Sequence, residues 1–173
     1  PTPAALARWF NISLDHLLWR ADITGRNRPP PAGPLRPYRY RWIPKPNAAL
    51  RLLEIPKRTL KEMQRKILTE ILNPIPAHPS AHGFCPGRSI LTNAAAHCGK
   101  PAVLRFDLTD FFPSITSARV FRIFRTIGYP AAVARLLMGL CTTSLPADIW
   151  EARPGAKLGA DFHTRQRLIT RHL

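Results

Sequence analysis

From Leu60 to Leu72 the apolar side chains Leu60, Met63, Ile67, Leu68, Ile71 and Leu72 recur at helical spacing. That stripe predicts an amphipathic helix in "TLKEMQRKILTEILNPI". Thr59 is placed to cap it, with Glu62 three residues on as a capping box requires. Pro74 and Pro76 end it. Upstream, "YRYRWIP" alternates Tyr38, Tyr40 and Trp42 with Arg39 and Arg41. A period of two predicts a strand, aromatic on one face and basic on the other. "LRLLEIP" follows after "KPNAA", so the pair reads as a β-hairpin.

Near the start, "LARWFNISLDHLLWRAD" reads as two short helices. Ser13 caps the second, and Leu14, Leu17 and Leu18 share a face. "TGRNRPPPAGPLRP" reads as an irregular, exposed linker. "AHPSAHGFCPGRSI" is a loop, and "SILTNAAAH" a short helix capped by Ser89. "AVLRFDL" predicts a short, mostly buried strand. "SARVFRIFRTIGY" predicts a helix stopped by Gly128. "PAAVARLLMGLCT" predicts another, with Pro130 at its first position. From Ser144 the chain reads as irregular, with a weak "RQRLIT" pattern. Helices mixed with few strands in this order favour an α+β fold over a parallel α/β sheet.

The length, 173 residues with 45% hydrophobic, suits one domain or a piece of a larger one. Charge changes the picture most. Lys and Arg number 26 against 10 Asp and Glu, a formal net charge of +16. Such an excess, much of it arginine, fits a polyanion and above all nucleic acid. No apolar run approaches the roughly 20 residues of a membrane helix, and no secretory leader is expected. Cys85, Cys98 and Cys141 are odd in number and widely spaced. They read as reduced, buried thiols of a cytoplasmic protein rather than a disulfide or metal framework.

The candidate chemistry centres on "LRFDLTDFFPSI". Asp107 stands at the carboxyl end of the expected strand, where an unpaired buried carboxylate is costly. A hard divalent cation such as Mg²⁺ takes carboxylate oxygen, and the Leu108 carbonyl offers a further ligand. The alternatives are that Asp107 pairs with a buried arginine and that Asp110 caps a turn. Lys45 in the hairpin turn and Arg51 on its second strand could clamp a triphosphate, or belong to a solvated basic face. Arg88 follows a Pro-Gly turn and precedes a helix start, where anions are favoured, unless it only closes a capped loop.

Taken in order, "WIPKPNAALRLLEIPKRTLKEMQRKILTEIL", "AHGFCPGRSILTNAAAH" and "VLRFDLTDFFPSI" resemble successive motifs of a bacterial reverse transcriptase. The resemblance is to the retron type, with group II intron enzymes as cousins, and runs from about Tyr38 to Thr142. It implies a right-hand polymerase. After a helical lead-in (1–25) and a linker (26–37), residues 38–100 would be the fingers and 101–173 a partial palm. Asp107 matches the first catalytic aspartate, a ligand of Mg²⁺ together with the Leu108 carbonyl. Lys45 and Arg51 match the residues that grip the incoming dNTP. Arg88 and Asn93 lie in the motif lining the nucleotide and template region. Asp110 matches a polar position near the triphosphate. Phe112 matches the aromatic that excludes a ribose 2′-hydroxyl. The implied partners are an RNA template with its primer, dNTPs and a structured non-coding RNA, with no membrane. The implied setting is phage defence or intron mobility.

The family also needs a downstream Tyr-x-Asp-Asp pair, which these residues lack. After Asp110 the acidic residues are Asp148, Glu151 and Asp161. The closing "RLITRHL" resembles the approach to the next family motif. The chain is therefore expected to be an N-terminal part of such an enzyme, inactive and aggregation-prone alone. The competing expectations are a short paralogue that lost catalysis and a non-catalytic, basic RNA- or DNA-binding module.

Overall fold

A computed structural model describes residues 1–24, 36–44, 50–108, 111–152, 154 and the strand 166–168. The expected linker and the closing "RLITRHL" fall mainly or wholly outside them. Contacts divide the chain into two units: residues 1–65 with 110–173, and residues 66–109.

The first unit begins with α1 (Pro3–Trp9) and α2 (Leu14–Ala21). The Thr2 and Ser13 hydroxyls each accept a hydrogen bond from the third amide beyond them, so both helices start on a side-chain cap. Of the three leucines expected on one face of α2, Leu17 is fully buried, while Leu14 and Leu18 are exposed. β1 (Tyr38–Pro44) and β2 (Leu50–Pro56) pair antiparallel, as the alternation predicts. An amide–carbonyl bond from Lys57 to Pro37 (2.8 Å) closes the open end of the hairpin.

α3 (Arg58–Ile67) follows at once. Of its expected stripe, Leu60, Met63 and Ile67 are buried, while Leu68, Ile71 and Leu72, beyond the end of α3, are half-buried. Its start differs from expectation. The Lys61 amide already bonds the Lys57 carbonyl (2.9 Å), which puts Thr59 inside the helix. Glu62 pairs with Arg58 (2.9 Å) instead of closing a capping box. A neighbouring cation one turn back outcompetes an uncharged amide for that carboxylate.

α6 (Ser117–Thr126) and α7 (Ala131–Cys141) complete the helical core of this unit. Thr116 caps α6, and Gly128 takes the left-handed backbone (φ 98°) that ends it. Pro130, expected at the first helical position, stands one residue before α7, where its carbonyl accepts the Ala134 amide (2.9 Å). α7 is the most buried helix, with Val133, Ala134, Leu136, Leu137, Leu140 and Cys141 enclosed. It packs on α1, α2 and α6. Gly139 lets α2 approach: a Cβ there would stand 2.9 Å from the Ala21 carbonyl carbon and press on its oxygen.

Among the described residues from Thr142 on, regular elements stand where the sequence predicts none. β3 (Thr142–Ser144) pairs antiparallel with β4 (Gln166–Leu168), and α8 (Ala147–Glu151) lies between them in sequence. α8 docks on the hairpin. Asp148 pairs with the buried Arg36 (2.7 Å), and the Trp42 indole donates to the Ile149 carbonyl (3.3 Å).

In the second unit, α3 runs on into a π-helical turn, Leu68–Leu72, and α4 spans Ile90–Ala95. From Asn73 to Leu108 no residue is buried. The strand expected over "AVLRFDL" does not form. A strand exists only when another backbone takes its hydrogen bonds, and among the described residues 101–108 find no ladder partner. Val103, Leu104, Phe106 and Leu108 therefore remain in water, Phe106 at 86% exposure. The cysteines also differ from expectation: Cys141 is buried, Cys85 half-buried and Cys98 exposed.

Candidate nucleotide and nucleic-acid site

Pleating puts alternate residues of the hairpin on opposite faces. Tyr38 is buried and Tyr40 and Trp42 half-buried on the face turned to the protein. Arg39 and Arg41 are exposed on the other face. The register places Ile43 opposite Arg51 and Arg41 opposite Leu53, so Arg51 shares the face of Arg39 and Arg41. The hairpin thus presents three exposed arginines together. Lys45, expected in the turn, lies outside the described residues.

The mount of this arm is a buried amide. Gln64 of α3 donates to the Tyr38 hydroxyl (3.2 Å) and to the Leu140 carbonyl (2.8 Å). Leu140 stands in the last turn of α7, whose carbonyls have no partner within the helix. One side chain therefore ties β1 to the end of α7. Sequence reasoning missed Gln64. The available signal was a polar residue standing four after Leu60, within the apolar stripe.

In the second unit Arg88 holds a loop. Its Nη1 donates to the carbonyls of His78 (2.7 Å), Pro79 (2.9 Å) and Ala81. Its Nε and Nη2 make no bond to the described residues. Gly87 turns the chain with φ 73°, and Phe84 adopts φ 59° with its ring almost wholly in water. Ser89 and Thr92 cap α4 reciprocally, and the Thr92 hydroxyl also meets His82 (2.9 Å). Asn93 is exposed on α4. From Asn73 to Leu108 the hydrogen bonds of this guanidinium and this cap hold the chain where no side chain is buried.

Asp107 and Leu108 are exposed on the irregular segment of the same unit. Asp110 lies outside the described residues. Phe112 is half-buried on α5 (Phe111–Ser114) of the first unit, its ring 5.2 Å from that of Phe111. Among the described residues no three His, Cys, Asp or Glu side chains gather as a metal site. The candidate ligands amount to one carboxylate and one main-chain carbonyl. A hard cation held that way would take its remaining oxygens from phosphates and water. No helix among them is long and apolar enough to cross a membrane.

No family model matches the chain. Individual proteins do. The chain is 46% identical over 121 residues to the retron Mx65 reverse transcriptase of Myxococcus xanthus, covering 70% of this chain and 27% of that protein. It is 42% identical over 111 residues to the retron Mx162 reverse transcriptase of the same organism, covering 64% and 23%. It is 38% identical over 96 residues to the retron Ec86 reverse transcriptase of Escherichia coli, covering 56% and 30%. The aligned part is thus less than a third of each of these relatives. At this identity and coverage, the chain belongs to the retron reverse transcriptase family.

Proposed function

We propose that this chain supplies the fingers and the opening of the palm of an RNA-directed DNA polymerase. The observation that carries the proposal is its identity to retron reverse transcriptases over more than half of its length. In this reading Arg51, with Lys45, grips the triphosphate of an incoming dNTP from the exposed face of the hairpin. A forked guanidinium suits two phosphate oxygens at once. Arg88 keeps Nε and Nη2 for a nucleotide or template phosphate while Nη1 shapes its own loop. Asn93 lines the template region, and Asp110 stands near the triphosphate. Phe112 is the aromatic wall against a ribose 2′-hydroxyl. Asp107 and the Leu108 carbonyl offer oxygen to Mg²⁺, which in this class of reaction activates the primer hydroxyl and steadies the leaving pyrophosphate.

One carboxylate does not hold a pair of divalent ions, so the isolated chain is inactive in this reading. The proposed partners are an RNA template, its primer and a structured non-coding RNA, and the proposed setting is defence against phage. A second reading, a non-catalytic nucleic-acid binder, draws on the three exposed hairpin arginines alone.

A graft separates the two. The aligned segment of the Mx65 reverse transcriptase is replaced by residues of this chain, and cDNA synthesis is measured on a primed RNA. The polymerase reading expects extension by the graft and a loss of at least about a thousandfold with Asp107→Asn. A folded, RNA-binding graft without extension, or one indifferent to Asp107→Asn, refutes it in favour of the binding module.

A further inference from the structure

The stretch from Phe111 to Ala147 contains four arginines and no acidic residue. Three of them, Arg119, Arg122 and Arg125, recur every third residue along α6, and all are exposed. Each step of three rises about 4.5 Å and falls 60° or so short of a full turn, so the guanidiniums climb one side of the helix. Val120 and Phe124 bury the opposite side. Arg135 of α7 extends the row: its guanidinium carbon lies 5.9 Å from the centroid of Phe121, which neighbours Arg125 one turn away. Among the described residues none of the four forms an ion pair. Arg125 spends one N–H on the Tyr129 carbonyl (2.7 Å), and the other three guanidiniums donate no hydrogen bond to the described residues.

Like charges at this spacing repel one another, and an arrangement of this kind is stabilised when a polyanion neutralises it. The side chains exposed between the arginines are Ala118, Ile123 and Thr126. The one ring in the row, Phe121, is half-buried and lies under the Arg135 guanidinium, so no open ring is left on which an unpaired base could stack, which is how single strands are held. A basic ridge whose one ring is covered suits phosphates of a duplex, read by shape and charge.

We propose that the α6–α7 arginine ridge is a second nucleic-acid surface, which docks the phosphate backbone of a double-stranded RNA stem. It uses none of the residues assigned above to nucleotide or metal. The inference rests on the nucleic-acid reading of the chain but needs no catalysis.

The test is fluorescence anisotropy of the 173-residue chain with a labelled RNA hairpin of about 16 base pairs, a span that shape-reading proteins cover. Arg119→Gln/Arg122→Gln removes two ridge cations. Arg8→Gln/Lys100→Gln removes the same charge elsewhere and controls for the overall +16. The ridge variant is expected to weaken binding roughly tenfold at low salt and to lower the slope of log Kd against log[salt] by about two, whatever the stem sequence. The control should keep the slope. Far-ultraviolet circular dichroism should be the same for all three proteins. An unchanged slope in the ridge variant overturns the proposal, as does an equal fall in the control. Tighter binding of polyglutamate than of the hairpin also overturns it, making the ridge a docking face for an acidic protein. Because a dead graft leaves this measurement intact, failure of catalysis and failure of the ridge are read apart.

Discussion

Replacing Gln64 with leucine keeps the volume of the side chain and deletes both of its hydrogen bonds. The Leu140 carbonyl then has no donor, and Leu140 itself is 0% exposed. The Tyr38 hydroxyl, on a residue 2% exposed, loses one partner. A buried acceptor left unsatisfied costs about 1–3 kcal/mol, and the added apolar surface of leucine offsets part of it. The net expectation is a loss of about 2 kcal/mol. Tyr38→Phe removes only the hydroxyl and should cost about 1 kcal/mol. Because the two side chains share one bond, the double variant should fall short of the sum by about 0.5–1 kcal/mol. Urea unfolding followed by tryptophan fluorescence measures all four corners of the cycle, with Trp42 on β1 one of the four rings that report. If Gln64→Leu unfolds at the same or a higher urea concentration, the amide is not the mount of the hairpin, and apolar packing of Tyr38 holds it instead. If the cycle is additive, the bond between the two side chains contributes nothing of its own.

Two further perturbations probe the same core. Gly139→Ala would push a methyl group onto the Ala21 main chain, which cannot rotate away, so α2 and α7 must part; a destabilisation of about 1–3 kcal/mol is expected in the same urea assay, and an unchanged midpoint would refute the close approach. Burial pushes the Cys141 thiol up to about 12, so a thiol reagent at pH 8 should label Cys85 and Cys98 in the folded chain and spare Cys141. The same shift sets a sign: the folded state keeps a proton that an unfolded thiol gives up near pH 8.5, so this residue's contribution is whole below that pH and falls by about 1.4 kcal/mol per unit above it, towards pH 12. The wild type should therefore lose stability more steeply between pH 9 and roughly 11 than Cys141→Ala, and parallel curves would contradict the burial.

What the amino acids disclosed in advance was what is decided locally. Ser13, Ser89 and Gly128 mark helix ends through their own hydroxyls or backbone, and each does so in the structure. The alternation of Tyr38–Trp42 depends only on pleating, and it gave the hairpin with both faces correctly named. Thr59 failed as a cap because the helix begins before it, and the capping box failed because Arg58 offered Glu62 a stronger partner. The strand through Asp107 failed for a different reason: its residues have strand character, but a ladder is a property of two segments. β3 and β4 were missed because each is three residues long and stabilised from a distance. α5 was hidden by Pro113, which stands in its first turn, where no intrahelical N–H bond is required. Of the candidate site, Arg51 was named from sequence, yet its company with Arg39 and Arg41 required the register. The bonds that occupy Nη1 of Arg88 could not be read from "CPGRS" at all.

The two faces of the hairpin divide its positions by parity, and heredity can use the division. Substitutions at 38, 40 and 42 alter how the arm is seated, whereas those at 39, 41 and 51 alter what it meets in solution. Neighbouring codons thus carry nearly independent traits, so a lineage can retune the charge of this arm for a new polyanion without first compensating for lost stability. In a scan of all single substitutions, tolerance along Tyr38–Trp42 should rise and fall with every residue, one set of positions screened by folding and the other by partner.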